Sequence, residues 1–365
     1  MAGNQTPQRI LLVRPSALGD ACRSVPVLVS LAKAWPEATL GWVIQEGFED
    51  VIRCHPDLDE IVVFPRKALA KWATRPWVLG RSIKWMHSLR RGHWDLVVDC
   101  QGLVRSGLMS FASGARLRVG DRGAREGAWL AYNHRVKTES HTHTVDRMLN
   151  LLEPLGVEQV PDMQLYTPRE CVERWNQMRR ERAINTPYLA FAPTTRWPSK
   201  AWPDDHWVQF VKSLNHHVIP SVVLVGSDSE RPKVALLAKR LRDETGIDVH
   251  DLAGQTSIGE LMAVIESARL TVANDTAALH MAVGLGGRCV GLYGPTDPAE
   301  VGPYRCDDRV VYAPPPSPVN YRDSRLGDRI MRSVSVESVL EMTRRVLDET
   351  ADDQLGTTDG GGAAA

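Results

Sequence analysis

Runs of consecutive apolar residues alternate along this chain with stretches of helical periodicity. "RILLVRP" (9–15) reads as a strand, followed by a helix over 20–35 that ends before Trp35-Pro36. "TLGWVIQ" (39–45), a helix near 47–54, "EIVVFP" (60–65), a helix over 78–91 and "WDLVVDCQG" (94–102) continue the alternation. The pattern weakens through 135–185, which reads as a connection. It restarts with "YLAFAPTTR" (188–196), "PSVVLVGS" (220–227), "VHDLAG" (249–254), "RLTVANDTAALH" (269–280) and "RCVGLYGPTDP" (288–298), with helices near 204–216, 230–244 and 257–267 between them. Strands that are apolar throughout are buried on both faces, the signature of a parallel sheet covered by helices. Two such series predict an α/β protein of two doubly wound domains with a cleft between them, ligands lying outside the carboxyl ends of the strands.

Composition narrows the function classes. With 44 Lys+Arg against 44 Asp+Glu there is no net charge, which argues against a general nucleic-acid binder. The six cysteines are scattered without a C-x-x-C, so neither a zinc site nor a disulfide framework is expected. No apolar run approaches the ~20 residues that span a bilayer, and the polar N-terminus does not read as a signal peptide. The tail "GTTDGGGAAA" is expected to be disordered.

Several loops at predicted strand ends carry chemistry. Thr194, Thr195 and Lys200, in "APTTRWPSKAWP", offer hydroxyls and a cation to a diphosphate, although the full P-loop pattern is absent; the alternative is a plain surface loop. Glu230, at a helix start, suits a ribose diol or simply the helix dipole. Asn274, Asp275 and Thr276 follow a strand at another helix start, with His280 one turn on; phosphate and sugar contacts compete there with a cap and a core histidine. Asp20, in "RPSALGDACRSVPVL", is read by spacing alone as a helix cap. Between Arg66 and Arg91 lie Arg66, Lys67, Lys71, Arg75, Arg81, Lys84, Arg90 and Arg91 with no acid, interleaved with Trp72, Trp77 and Trp85. That asymmetry suits an anionic ligand or an anionic membrane surface. Gln101, Arg105, Arg122, Arg125, His141 and His143 are further candidates for the acceptor side. Asp57-Leu58-Asp59 matches a D-x-D pattern but precedes a strand and reads as a turn.

"RPSALGD", "DCQGLVRSG", "REGAWLAYN", "HTVDR", "TTRWPSKAWP", "NDTAALH" and "YGPTDP", in that order, resemble the bacterial lipopolysaccharide heptosyltransferases. These are ADP-heptose-dependent glycosyltransferases of the GT-B fold, two Rossmann-like domains facing a central cleft. The resemblance is nearest to members that add the first heptose to a Kdo residue on lipid A. It implies an acceptor domain over 1–180, a nucleotide-sugar domain over 186–335, a C-terminal helix over 336–349 and a tail over 350–365. It implies Asp20 as general base and Lys200 as the cation facing the departing diphosphate. Thr194, Thr195 and Lys200 become diphosphate contacts, Glu230 the ribose contact, and Asp275, Thr276 and His280 the donor loop. Arg66, Lys67 and Arg125 become acceptor contacts, beside Gln101, Arg105 and His143. The reaction implied is inverting transfer to an anionic Kdo-lipid A, without metal or other cofactor, at the cytoplasmic face of the inner membrane. One departure is Ala277, where the family usually has glycine. The alternatives are a GT-B transferase with another nucleotide sugar or acceptor, and a nucleotide-sugar epimerase.

Overall fold

Both series of apolar runs become parallel sheets. The computed structural model describes residues 6–69, 76–139, 141–184, 187–214, 216, 219–315 and 324–355. Lys71, Trp72 and Arg75 of the basic run lie outside these residues, as does the chain from 356 onward. The first sheet is built from β1 (Arg9–Val13), β2 (Thr39–Gln45), β3 (Glu60–Phe64), β4 (Leu96–Asp99), β5 (Leu117–Asp121) and β6 (His134–Val136). Its spatial order is β3-β2-β1-β4-β5-β6. The second contains β7 (Tyr188–Ala192), β8 (Ser221–Leu224), β9 (Asp248–Asp251), β10 (Leu270–Asn274), β11 (Cys289–Tyr293) and β12 (Val310–Tyr312), in the order β12-β11-β10-β7-β8-β9.

Each sheet thus runs 3-2-1-4-5-6 in its own numbering, the doubly wound Rossmann order. The α/β reading with two Rossmann-like units, as the GT-B fold requires, is borne out. The direction of winding reverses between β1 and β4 in the first unit and between β7 and β10 in the second. Loops leaving those four strands are where such a sheet opens a crevice for ligands.

The sheets are parallel because the central strands have no polar face to show water. Ile10 to Val13 are buried, as are Leu189 to Ala192 and Val222 to Leu224. Aromatic residues close one side of the second sheet: Phe191 and Trp207 lie 4.9 Å apart by ring centroids, and Trp202 and Trp207 lie 5.0 Å apart. Burying the Trp202 indole removes about 200 Å² from water, roughly 5 kcal/mol at 25 cal per Å². That exceeds the roughly 1 kcal/mol of its Nε1 hydrogen bond to the Val334 carbonyl (2.8 Å) several-fold. Packing therefore sets where this loop runs, and the hydrogen bond fixes its angle.

The elements depart from the sequence reading in several places. The helix expected over 20–35 is two helices, Leu18–Arg23 and Val25–Ala34, because Pro26 has no N–H to continue the first. The helix expected near 47–54 is a single 3-10 turn, Glu49–Val51. The strands β5 and β12 were not expected. The weak stretch 135–185 holds part of β6, the helix Thr144–Leu149 and the helix Arg169–Glu181. β6 has three residues, too few for a period, and the helix 169–181 buries only Cys171 and Trp175. The chain divides into units Met1–Pro168 and Arg169–Ala365, so that helix belongs to the second. The final helix runs Val336–Leu355. No helix among the described residues is long and apolar enough to cross a membrane.

Candidate active site

In the first unit, the loop after β1 turns into the helix Leu18–Arg23 and carries Asp20 in its first turn. The Asp20 carboxylate is gripped from two sides. Arg14 Nη2 reaches Oδ2 at 2.8 Å, Arg23 Nη2 donates to Oδ1, and the Ala17 N–H donates to Oδ2 at 3.2 Å. Asp20 therefore sits at the third position of the helix, holding the N–H of the N-cap residue Ala17, and forms a double ion pair at once. Burial alone would raise its pKa, but Arg14 and Arg23 together with the Ala17 N–H outweigh it and hold the carboxyl far below the usual carboxylate range. Arg14 also donates to the Cys100 carbonyl just after β4, so one guanidinium ties the two strand ends at the crossover.

Beside it, β4 ends in the buried Asp99, which accepts from the Gln101 N–H (2.9 Å), the Gly102 N–H (3.1 Å) and the Tyr132 hydroxyl (2.8 Å). Burial pushes Asp99 up while those bonds pull it down, and the net shift is upward. These bonds hold the turn presenting Gln101, whose Nε2 lies 3.5 Å from Ser16 Oγ. Gln101 and Asp20 thus flank the same crossover.

The other acceptor-side candidates spread over the first unit. Arg66 donates to Gln45 Oε1 (2.9 Å), and the Arg105 guanidinium lies 5.7 Å from the Phe64 ring centroid. Burial and then the nearby Arg66 charge lower the Arg105 pKa, against the opposing Glu126. Two guanidiniums sharing one field make a place for an anion. Lys67 and Arg125 are exposed, the latter fixed by its N–H to the Gly102 carbonyl (2.9 Å). His143 caps the helix Thr144–Leu149, its Nδ1 accepting from the Val145 N–H (3.2 Å).

In the second unit the loops after β7 and β10 meet. Lys200 Nζ pairs with Asp275 Oδ2 at 2.7 Å, and Thr296 Oγ1 donates to the same oxygen at 3.1 Å. Asn274, fully buried at the end of β10, is the fastener: it accepts from the Trp202 N–H (3.0 Å) and donates to the carbonyls of Pro193 (2.9 Å) and Ala192 (3.4 Å). Thr194 is buried next to Gly226, where a Cβ would sit 3.4 Å from Thr194 Oγ1, so the loops after β7 and β8 touch there. Thr195 Oγ1 donates to the Trp197 carbonyl (2.5 Å). Thr276 Oγ1 is buried without a hydrogen-bond partner among the described residues, at the N-cap of the helix Ala277–Gly284. His280 is buried within that helix. Glu230 Oε2 accepts from the Ser227 N–H (2.8 Å) and hydroxyl (2.6 Å), a capping box that leaves Oε1 for a diol.

The structure thus gathers Thr194, Lys200 and Asp275 around the β7–β10 crossover and Asp20 and Gln101 around the β1–β4 crossover. Sequence reasoning missed Arg14, Arg23, Thr296 and Asp99, and read Asn274 as a ligand contact where the structure makes it a buried tie between loops. Only Arg23, three residues from Asp20 on a helix, carried a periodic signal. Asp57 and Asp59 lie in a turn: Asp59 Oδ2 accepts from the Leu40 N–H (2.8 Å), fastening β2 to the turn before β3. Among the described residues no cluster of three or more His, Cys, Asp or Glu is placed to hold a metal ion.

The model of the family described as glycosyltransferase family 9 (heptosyltransferase) matches residues 82–325. The chain belongs to that family. It is therefore a glycosyltransferase. Over 305 residues, 81% of this chain and 81% of the relative, it is 30% identical to lipopolysaccharide heptosyltransferase 1 of Pseudomonas aeruginosa. The Escherichia coli protein of the same name is 26% identical over 332 residues, 88% of this chain and 99% of its own length. Among solved structures, an E. coli heptosyltransferase with ADP has a TM-score of 0.73 at 22% identity, over 93% of this chain and 99% of the other. E. coli ADP-heptose lps heptosyltransferase II has a TM-score of 0.76 at 20% identity, over 94% and 99%. These two likenesses concern the fold. Family membership bears on the chemistry.

Proposed function

We propose that this family 9 enzyme transfers a heptose from ADP-heptose to a Kdo-containing lipid A or inner-core acceptor, with inversion, at the cytoplasmic face of the inner membrane. The observation that carries the reading is the Lys200–Asp275 pair at the crossover of the second sheet, fastened by Asn274 and flanked by Thr194 and Thr276. A diphosphate entering there draws on Lys200 and on the N–H groups of the helix Ala277–Gly284. Asp275 and Thr296 then face the sugar, and Glu230 Oε1 the ribose. Arg66, Lys67, Gln101, Arg105, Arg125 and His143 are assigned to the acceptor, as anion and hydroxyl contacts.

In the reaction the acceptor oxygen bonds to the anomeric carbon as the bond from that carbon to the ADP oxygen breaks. Asp20 takes the acceptor proton, and Lys200 with the helix N–H groups meets the charge left on ADP. Two arginines make Asp20 a weak base, which suits an oxocarbenium-like transition state: the hydroxyl becomes acidic only as its new bond forms. The same ion pairs keep Asp20 ionised throughout the neutral range. Mass-spectrometric assay with ADP-heptose and Kdo-lipid A tests the reading. It predicts heptosylated product from wild type and a loss on the order of 10²–10⁴-fold for Asp20→Ala. Turnover with other nucleotide sugars but no ADP-sugar would remove the donor assignment.

A further inference from the structure

A groove of about 760 Å³ opens on the first unit between the helices Pro76–Arg90 and Val104–Ala112. Its walls reverse the usual rule for surface helices. Leu79 and Ile83, spaced i, i+4, line one side and are 41% and 51% exposed. Val104, Leu108 and Phe111, spaced i, i+4, i+7, line the other and are 44%, 53% and 64% exposed. An amphipathic helix ordinarily turns such a stripe to the core. Here two stripes face each other across open space.

Among the described residues, the charges lining the groove are of one sign. Arg66 and Arg105 sit together at the end where the helix Val104–Ala112 begins. Arg90 is at the opposite end, its side chain 3.3 Å from where a Cβ on Gly114 would lie. Among the described residues, Ser82 and His87 are the remaining polar lining residues and no acid lines it; Glu126 is the acid whose charge reaches Arg105. A peptide laid in this groove would need partners for its own N–H and C=O groups. These helical walls offer side chains only, and the Val63 carbonyl beside them already accepts from Trp85 Nε1 (2.9 Å). A hydrocarbon chain has no such need.

We infer that the groove is an acyl-chain subsite, holding one fatty chain of an anionic lipid acceptor whose charged head rests on Arg66 and Arg105. The length fits: nine residues of helix span about 13 Å. One bilayer leaflet, and so one extended chain, is about 15 Å of hydrocarbon. The inference rests on the proposed acceptor assignment and deepens it, adding recognition of the lipid to recognition of the sugar. The acceptor's chain would leave its leaflet for the groove while its head stays at the arginine end.

The test uses the full-length protein, Leu108→Asp and Ile83→Asp/Leu108→Asp, each substitution at a half-exposed position outside the machinery assigned above. First, binding of spin-labelled saturated fatty acids of ten to fourteen carbons is measured below their micellar concentrations. Affinity is expected to rise about fourfold per added carbon until the groove is full, and to fall at least tenfold in the double variant. Second, KM is measured for Kdo-lipid A and for its fully deacylated form. The variants should raise KM only for the acylated acceptor, with kcat and thermal midpoint unchanged. Fatty-acid binding indifferent to the substitutions, or an equal KM rise for both acceptors, overturns the inference. So does a groove that instead seats a second copy, seen as a dimer that the double variant dissociates in the absence of fatty-acid binding. If neither acceptor is heptosylated but fatty-acid binding depends on Leu108 and Ile83, the proposed function fails and the acyl site stands.

Discussion

Replacing Asn274 with alanine removes the fastener of the donor-side crossover without touching the pair it positions. Asn274 is fully buried and makes three hydrogen bonds, two of them near 3 Å and one at 3.4 Å. Truncation strands the Trp202 N–H and the Pro193 carbonyl in a dry interior, at about 1–3 kcal/mol each. The Ala192 carbonyl adds little, because its bond is long. The two together cost about 2–6 kcal/mol, and water entering the vacated space brings the expected loss to about 2–4 kcal/mol. For a unit in the 150–250-residue range that lowers the thermal midpoint by about 4–16 °C. Calorimetry is the first assay. Steady-state kinetics is the second: the loops after β7 and β10 lose their tie, Lys200 and Asp275 lose their fixed spacing, and KM for the nucleotide-sugar donor should rise more than KM for the acceptor. Asn274→Asp keeps the acceptor for Trp202 but loses both donors and places a carboxylate against two carbonyls, so it should be no better than alanine. A midpoint within 2 °C of wild type together with an unchanged donor KM would refute the fastening role.

Arg23→Met removes one of the two cations on Asp20 and should move the acid limb of kcat/KM upward, toward the ordinary carboxylate value near 4. The sign follows from linkage: a depressed carboxyl pKa stabilises the fold above its unfolded value and loses that contribution as pH falls through the folded one. A pH–rate profile with an unmoved acid limb would sink this reading of Asp20. Lys200→Met should lower kcat and, by leaving the Asp275 carboxylate without its cation, cost up to about 3 kcal/mol of stability. Lys200→Met/Asp275→Asn should regain stability but not turnover, so recovery of both in thermal melts and assays would show that the lysine is structural. Tyr132→Phe removes a hydrogen bond that serves the ionised form of Asp99, so the raised Asp99 pKa should rise further. Because a raised carboxyl pKa costs stability as pH climbs past the unfolded value, denaturant melts should show a larger loss at pH 8 than at pH 4.

Much of this molecule was legible from its pattern of apolar runs. Strands such as "RILLV", apolar from Ile10 on, and "YLAFA" are hydrophobic on consecutive residues, and only a sheet covered on both faces buries both sides of such a strand. The α/β class, the two series of strands and the loops at their ends followed. What period and spacing left open was the state of each side chain in those loops. Asp20 read as the N-cap; the N-cap is Ala17, whose N–H Asp20 holds from three residues on, and Arg14, six residues back across the turn, grips Asp20 from the β1–β4 crossover. Lys200 read as a free cation, yet Asp275, seventy-five residues away, meets its charge. Asn274 read as one more polar residue of the donor loop, and burial made it the fastener of that loop instead. The basic run between Arg66 and Arg91 announced an anion, but not the groove beside it, whose walls come from two helices separated by a strand. Sequence by itself determined which segments must be buried and where the chain must turn, because those depend on local periodicity. Only the tertiary structure decided which charges are paired, which polar groups are fasteners and which apolar stripes face open space, because those depend on residues that folding brings together from far apart in the chain.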